Sequence, residues 1–260
     1  TAVSAKDSVK RTETIKMVVG GIIPEGPEEM KPIDPGIFED WKVVEFENVK
    51  LVCPRDHAHV ETVDALARAM YRALNNGSQF LGLEAPKNTV VVCYYTGPGQ
   101  GKETTGMNYS FATNDTLHYW PPNHLGVPVM KYLIPKWQNI DPKHSFIREG
   151  LITLMDGSGK DYHKWAATAW QENRFTPLSE LALDSTMDAD EGGQPLALSA
   201  SFVDFVVYVY GINGLTGLYR SAEDFDRTVE GLFGITTDSL QSQWITVLGQ
   251  VEEIRKQSEQ

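Results

Sequence analysis

The side chains best suited to chemistry are two histidines and one glutamate near the middle of the chain. His118 and His124 flank a short segment rich in aromatic residues and proline, and Glu149 follows further along the sequence. Two imidazoles and one carboxylate are a ligand set that zinc accepts. These three residues are therefore one candidate metal site. Packing of the two histidines beside the neighbouring prolines, with no metal, is the alternative interpretation.

Aromatic rings between the two histidines are a second candidate feature. Tyr119 and Trp120 are followed directly by Pro121 and Pro122. Flat rings of this kind line many grooves that bind small ligands or other chains, but they pack equally well in a core. The candidates for a cleft or binding surface are His118, Tyr119, Trp120, His124 and Glu149.

Other motifs known from enzymes are incomplete or absent. The run Gly97-Pro98-Gly99-Gln100-Gly101-Lys102 is one residue shorter than a phosphate-binding loop, and Glu103 stands where that loop needs Ser or Thr. We predict an ordinary loop there. The acidic runs 156–161 and 184–191 lack the ligand spacing of an EF-hand, which favours solvent-exposed turns over calcium sites. The sequence contains no G-x-S-x-G motif for a serine nucleophile.

The two cysteines, Cys53 and Cys93, both lie in strand-like runs, and neither belongs to a C-x-x-C pair. If the two strands are neighbours in a sheet, a disulfide between them is one arrangement. The other is a pair of buried free thiols, which behave as small apolar side chains. We favour the free thiols.

Composition excludes some classes of partner. The chain has 260 residues and a formal net charge of −12. Nucleic-acid binding needs clustered Lys and Arg, so neither DNA nor RNA is an expected partner. The longest apolar run, Phe202–Tyr210, is interrupted by Asp204 and is far shorter than the ~18 residues of a membrane span. We therefore expect no membrane span.

A strand–helix–strand pattern follows an N-terminal region rich in proline and acidic residues. Strands are predicted for Phe46–Cys53 and Thr89–Thr96, and the apolar residues between them recur at the spacing of a helix over 57–74. The run Asn75-Asn76-Gly77 predicts the end of that helix. Because a helix joins the two strands, we expect them to be parallel, with a right-handed crossover.

Later segments predict a hairpin and then helices. Asn114-Asp115 separates two strand-like segments, 109–112 and 116–120, as in a β-hairpin. Beyond about Pro128 the predicted helices are Phe146–Met155, Asp161–Glu172, Leu196–Tyr210 and Asp238–Arg255. Residues 202–209 are also rich in β-branched and aromatic types, so propensity alone would permit a strand there. The expected fold class is α+β: an N-terminal mixed sheet with one crossover helix, then a mainly α-helical subdomain.

The order of these segments from Phe46 to Leu248 resembles the peptidase MA-like domains, a gluzincin group of zinc metallopeptidases. The opening strand–helix–strand is similar, and 146–152 (Phe-Ile-Arg-Glu-Gly-Leu-Ile) resembles the family's W-L-x-E-G-L-A helix. A third segment runs from Ala200 through Tyr210-Gly211, Phe233-Gly234-Ile235-Thr236 and Leu240–Trp244. It resembles the C-terminal run of that family, which implies that Leu196–Tyr210 is a helix.

The resemblance implies a zinc site that this sequence does not complete. In that family the metal is held by H-E-x-x-H on one helix and by the Glu of E-G-L, at which position Glu149 stands here. If His124 is the first ligand, Leu125 replaces the catalytic glutamate and Pro128 replaces the second histidine. Without metal, the charge of Glu149 needs a partner, and we expect Arg148, Lys131 or a helix terminus to supply it.

The resemblance therefore implies a metallopeptidase-like protein that has lost its catalytic zinc. We expect no cofactor and a non-catalytic module that binds a peptide, glycan or protein outside the cytoplasm. An active hydrolase that holds zinc through His118, His124 and Glu149 is the alternative. The expected organisation is a Pro-rich arm over 1–39 and one domain over 40–256, divided into a sheet subdomain, 40–122, and a helical subdomain, 123–256.

Overall fold

The computed structural model of the chain describes residues 31, 33, 38, 40–55, 60–113, 115–183 and 193–258. Most of the predicted arm, 1–39, and the acidic run 184–191 lie outside these residues. The fold is α+β, with a mixed five-stranded sheet and helices followed by a mainly helical region. The chain divides into two compact units, Thr1–Trp137 and Gln138–Gln260, and each is described by itself.

Five strands form the sheet of the N-terminal unit: β1 (Trp41–Phe46), β2 (Val49–Pro54), β3 (Val90–Tyr94), β4 (Phe111–Ala112) and β5 (Thr116–Tyr119). Their order is β1-β2-β3-β5-β4. β2 and β3 are parallel and are connected through helix α1 (Val60–Phe80), which confirms the predicted strand–helix–strand unit. β3 and β5 are also parallel, and β4 pairs with β5 in the predicted antiparallel hairpin.

The single strand predicted for Phe46–Cys53 is wrong, because Phe46 ends β1 and Val49 begins β2. Glu47 has a positive φ of 50° and forms the turn with Asn48, so the two strands pair antiparallel. Asn is a common turn residue. One Asn within a run of strand-forming residues was too weak a signal for the sequence prediction.

Helix α1 continues past its predicted stop at Asn75-Asn76-Gly77 and ends at Phe80. The reason is tertiary packing against helix α3 (Gly126–Trp137). A Cβ atom added to Gly77 would lie 2.7 Å from Leu133 Cδ1. The missing side chain therefore lets α3 approach α1 closely, and Gly77 serves the helix contact rather than a turn.

The loop predicted at 97–102 is also wrong, because Pro98–Thr105 forms a short helix, α2. Proline suits the first turn of a helix, since its missing N–H would have no partner there. The Gln100 side-chain oxygen accepts a hydrogen bond from Thr96 N at 2.8 Å. Gly106, with φ of 82°, ends the helix in the left-handed conformation.

Strand register assigns the two cysteines to opposite faces of the sheet. Val52 of β2 lies opposite Cys93 of β3, so the side chain of Cys53 projects from the other face. Both cysteines are buried and free, as favoured from the sequence. The strands are neighbours, but the geometry does not permit a disulfide between these two residues.

Different groups of side chains pack against the two faces of the sheet. On one face Phe46 contacts Tyr71 of α1, with ring centroids 5.5 Å apart. On the other face lies a group that we call the sheet-core cluster. Its members are Ile33, Phe38, Val52, Cys93, Tyr95, Met107, Phe111, His118 and Trp120.

Six helices form the described part of the C-terminal unit: α4 (Ser145–Leu154), α5 (Tyr162–Gln171), α6 (Leu178–Leu181), α7 (Gln194–Arg220), α8 (Phe225–Phe233) and α9 (Thr237–Ser258). The four helices predicted from the sequence correspond to α4, α5, α7 and α9. Residues 202–209 are helical despite their strand propensity, because α7 is packed against α4 and α5.

Helix α7 is long and rich in apolar residues. Its helical conformation is interrupted at Gly211, with φ of 71° and ψ of 177°. Among the described residues it is the one helix long and apolar enough to cross a membrane, and 50% of its most apolar stretch is buried. A core helix of a globular protein meets the same criteria, and α7 packs against α4 and α5.

Candidate functional site

His118 lies on β5 with its side chain fully buried. Its ring stacks on Phe111 with the centroids 4.4 Å apart, and its Nδ1 lies 2.9 Å from the Tyr95 hydroxyl oxygen. Burial lowers the pKa of His118 from 6.5 to about 3, so the imidazole is neutral near pH 7. The structure therefore places His118 in the core of the unit rather than on a surface.

The neighbouring aromatic residues point in opposite directions, as successive residues of extended chain do. Trp120 is fully buried in the sheet-core cluster. A Cβ added to Gly101 would lie 2.6 Å from its indole, which shows how closely helix α2 covers the ring. Tyr119 is half-buried and stacks on Tyr94, with ring centroids 5.9 Å apart. Of the two predicted binding rings, Tyr119 is the one that reaches the surface.

Tyr94 and Tyr119 form a pair, the tyrosine pair, at the carboxyl ends of two parallel strands. The register places them side by side, and Cys53 at the end of β2 projects from the same face. Burial raises the pKa of both phenols, with smaller contributions from Cys53 at Tyr94 and from Tyr94 at Tyr119. Ligands of open α/β sheets bind beyond the carboxyl ends of parallel strands, so this position suits a binding surface.

Sequence reasoning missed Tyr94, although one signal was available. Tyr94 lies near the end of a predicted strand, Thr89–Thr96, whose parallel pairing was expected. Its neighbour Tyr119 lies on β5, and the sequence did not reveal that β5 pairs with β3 in parallel. That pairing is a long-range contact, so local pattern carried no information about it.

His124 is exposed and lies in the loop before α3, where its carbonyl oxygen accepts a hydrogen bond from Val127 N at 3.2 Å. Helix α3 then begins at Gly126, with Pro128 in its first turn. Its sequence, Gly-Val-Pro-Val-Met-Lys-Tyr-Leu-Ile-Pro-Lys-Trp, contains no His, Asp or Glu. In chain order, α3 stands where the resemblance requires the zinc-binding helix.

Glu149 lies on α4 with its charge compensated by the preceding residue. Arg148 Nε lies 3.0 Å from Glu149 Oε1, and Arg148 Nη1 lies 3.2 Å from Asp141 Oδ1. Burial acts to lower the pKa of Arg148, but the charges of Glu149 and Asp141 outweigh it and raise that pKa. We expected Arg148, Lys131 or a helix terminus to compensate the negative charge of Glu149. The ion pair confirms Arg148 as that partner.

The donor groups present do not fit a zinc centre. Within the described ranges, no group of three or more His, Cys, Asp or Glu side chains is arranged to hold a metal ion. His118 is enclosed in the core, with Nδ1 at the Tyr95 hydroxyl, and Glu149 is ion-paired. Tetrahedral zinc sites need three or four converging protein ligands, so we derive no metal chemistry for this chain.

A Ser–His–Asp arrangement occurs in the C-terminal unit and had no signal in the sequence. His163 on α5 has Nδ1 2.8 Å from Ser201 Oγ and Nε2 2.9 Å from Asp204 Oδ2, both on α7. The contacts join residues far apart in the chain, and no spacing rule predicts them. Such a chain of hydrogen bonds is found in serine hydrolases, where the serine attacks the substrate.

Burial excludes a hydrolytic role for this arrangement in the folded chain. Ser201 is 0% exposed, and its Oγ also accepts a hydrogen bond from Trp244 Nε1 on α9 at 3.1 Å. A nucleophile needs an open approach for the reacting carbon of the substrate, and Ser201 offers none. The network instead connects three helices, α5, α7 and α9, through one hydroxyl.

The turn at 156–161 is exposed at Gly157, Gly159, Lys160 and Asp161, as predicted, but its first residue, Asp156, is buried and 6% exposed. Its carboxylate accepts hydrogen bonds from Ser158 N at 2.6 Å and from the Tyr162 hydroxyl at 2.7 Å. Burial and the hydrogen bond to Asp156 raise the pKa of Tyr162 to about 12, although Ser158 acts to lower it. The Asp156 carboxylate therefore fixes the turn onto α5.

The chain matches no protein-family model, and no curated protein matches it either.

Proposed function

We propose that this chain is a non-catalytic binding module, built on the plan of a gluzincin metallopeptidase and acting outside the cytoplasm. One observation carries the proposal: α3 stands in the chain order of the zinc-binding helix and contains neither imidazole nor carboxylate. An H-E-x-x-H helix supplies two metal ligands and the general base at once. A helix that lacks all three cannot activate a water molecule for peptide hydrolysis.

The environment of Glu149 supports the same proposal. In the peptidases that the sequence resembles, the glutamate at this position is a metal ligand, but here the Glu149 carboxylate is 3.0 Å from the Arg148 guanidinium. A guanidinium satisfies a carboxylate with charge-assisted hydrogen bonds and keeps its own positive charge. The carboxylate is thereby stabilised without a metal ion.

The tyrosine pair supports a binding role for the N-terminal unit. Both rings are half-buried at the carboxyl ends of parallel strands, and Lys42 lies on the neighbouring edge strand opposite Cys53. Tyrosine combines a large apolar face with a hydroxyl and is common in surfaces that bind other molecules. We propose that a peptide, glycan or protein ligand contacts Tyr94 and Tyr119.

Zinc content and peptide cleavage test the non-catalytic part of the proposal. We expect purified protein to contain no stoichiometric zinc by elemental analysis and to leave a quenched fluorescent peptide library uncut, with or without added zinc. Stoichiometric zinc together with cleavage that is lost in Glu149→Gln would refute the proposal and favour an active hydrolase.

Ligand screening tests the binding part. The protein is screened on glycan and peptide arrays, and each hit is measured again with Tyr119→Ala and Tyr94→Ala. We expect each variant to weaken binding about tenfold or more, since a stacked ring contributes on the order of 1–3 kcal/mol. Tyr208→Ala is the control, because Tyr208 is 80% exposed on α7 in the other unit. Equal binding by all variants would contradict the proposed surface.

A further inference from the structure

Two buried ring nitrogens of the sheet-core cluster have no hydrogen-bond partner among the described residues: His118 Nε2 and Trp120 Nε1. Both residues are 0% exposed. The rings share their neighbours, because each contacts Tyr95 and Phe111 at centroid distances between 4.4 and 6.4 Å. The two rings therefore share one aromatic environment inside the sheet-core cluster.

Leaving these nitrogens unsatisfied is costly. A buried donor or acceptor without a partner costs roughly 1–3 kcal/mol, and native proteins satisfy nearly all such groups with protein atoms or internal water. The other fully buried indole with a described partner follows this rule, since Trp244 Nε1 donates to Ser201 Oγ at 3.1 Å. Trp120 and Trp244 are thus equally buried, and they differ in whether a protein oxygen accepts from the ring.

The chemistry of the two nitrogens defines what can bind them. Trp120 Nε1 is always a donor. His118 is neutral, and its Nδ1 is engaged by the Tyr95 hydroxyl, so Nε2 is a donor or an acceptor according to the tautomer. A ligand that serves both nitrogens must accept from Trp120 and either accept from or donate to His118.

The surroundings favour a neutral and small ligand. The other members of the sheet-core cluster are apolar side chains, a thiol and a phenol, and burial raises the pKa of Cys93 to about 12. None of these groups compensates the charge of an ion, so a buried ion is strongly disfavoured. Water is neutral, small, and both a donor and an acceptor.

We propose that one ordered internal water molecule bridges Trp120 Nε1 and His118 Nε2 inside the sheet-core cluster. The water accepts from the indole and completes the hydrogen bonding of the imidazole, whose other nitrogen is held by Tyr95. It thereby orients the His118 ring between its aromatic neighbours. This binding site is independent of the proposed function and would exist in the chain without any external ligand.

A crystal structure of the whole chain at about 1.8 Å or better tests the site directly. We expect one water peak within hydrogen-bond distance of both nitrogens, on the order of 2.7–3.2 Å from each. A peak at only one nitrogen would overturn the bridge. Clear density in which a protein oxygen contacts either nitrogen would overturn it as well.

An isosteric substitution tests the energetics. Site-specific incorporation of benzothienylalanine, which replaces the indole N–H by sulfur, removes the donor and keeps the ring. If water accepts from Trp120, the substitution lowers the urea midpoint of unfolding. If the N–H is unsatisfied, its removal leaves the midpoint unchanged or raises it, which would refute the proposal.

The same substitution at Trp244 is the matched control. Its donor has an identified protein acceptor, Ser201, so the urea midpoint must fall there. A downward shift at Trp244 without one at Trp120 would show that the assay detects a lost hydrogen bond and that Trp120 makes none. Similar downward shifts at both positions would support the bridging water.

Discussion

At the scale of single residues, the surroundings of His118 decide its chemistry. Cys93 lies directly opposite His118 on the neighbouring parallel strand, a pairing of residue types known from cysteine nucleophiles. Burial raises the pKa of the thiol to about 12 and lowers that of the imidazole to about 3. Neither a thiolate nor an imidazolium forms near neutral pH, so the pair is inert.

Acid should destabilise the chain through His118. Its pKa is about 3 when folded and 6.5 when exposed, so on acidification the unfolded chain takes up the proton first. This contribution to stability is fully present above pH 6.5 and is lost as the pH falls towards 3. Between pH 7 and pH 5 the expected loss in unfolding free energy is roughly 2 kcal/mol.

Urea unfolding of the wild type and of His118→Phe at pH 7 and pH 5 measures this effect. Other titrating groups are present in both proteins, so the difference between the two pH slopes isolates His118. We expect the variant to lose about 2 kcal/mol less than the wild type over that interval. Equal slopes would show that His118 is not a buried neutral histidine.

The buried hydroxyl of Ser201 is expected to stabilise the C-terminal unit through its hydrogen bonds. Ser201→Ala removes the acceptor of Trp244 Nε1 and the partner of His163 Nδ1. Because the indole N–H is left without a partner, the unfolding free energy should fall by roughly 1–3 kcal/mol in urea titrations. Ser242→Ala, at an exposed serine of α9, should change it by less than about 0.5 kcal/mol.

Chemical labelling tests directly whether Ser201 is the nucleophile of a serine hydrolase. A fluorophosphonate probe labels serines that are both activated and accessible. We expect mass spectrometry to find Ser201 unmodified in the native protein. Labelling that is lost in His163→Ala would instead show that the Ser–His–Asp arrangement opens and acts as a nucleophile.

At the scale of elements, the crossing of α4 and α7 depends on one glycine. A Cβ added to Gly150 would lie 2.5 Å from the carbonyl oxygen of Ser199, which is backbone and cannot move aside as a side chain can. The glycine that follows Glu149 therefore has a packing role of its own. The E-G-L run is explained here by helix contact, without reference to a metal.

Gly150→Ala should lower the unfolding free energy by roughly 1–3 kcal/mol, because the added methyl group forces the two helices apart. Gly231→Ala is a matched control on helix α8, where an added Cβ meets nothing within 4 Å. There the alanine should raise stability by up to about 1 kcal/mol through helix propensity. Chemical denaturation followed by circular dichroism measures both, and equal effects would contradict the tight crossing.

At the scale of the whole molecule, the chain consists of two units with cores of their own. In the C-terminal unit, Phe202 contacts Phe146 at 5.7 Å and Trp244 at 5.4 Å between ring centroids. The predicted boundary after residue 122 falls before α3, whereas the division lies after Trp137, because α3 packs on the sheet and on α1.

A fragment spanning 138–260 should therefore fold alone. We expect helical circular dichroism and a cooperative thermal transition, since its buried aromatic residues contact each other within the unit. A shorter fragment, 138–236, lacks α9 and with it the buried Leu240, Trp244 and Leu248. It should lose the cooperative transition. Non-cooperative melting of the longer fragment would show that this unit needs the rest of the chain.

The sequence by itself determined the features that depend on local pattern. Local pattern predicted α1, the parallel pair β2 and β3, the β4–β5 hairpin and the four main helices, because apolar spacing reflects which side of an element is buried. The missing zinc motif is likewise a property of the sequence. Helix ends were less predictable. Helix α1 continues through Asn75-Asn76-Gly77 because packing against α3 at Gly77 stabilises the additional turn.

Only the tertiary structure decided the roles of the candidate residues. His118 and Trp120 are core, Tyr119 pairs with Tyr94, and Ser201 meets His163 across two helices. These outcomes depend on burial and on contacts between distant segments, which local spacing does not encode. The physical reason is that the pKa and the accessibility of a side chain are set by neighbours that only the packed chain brings together.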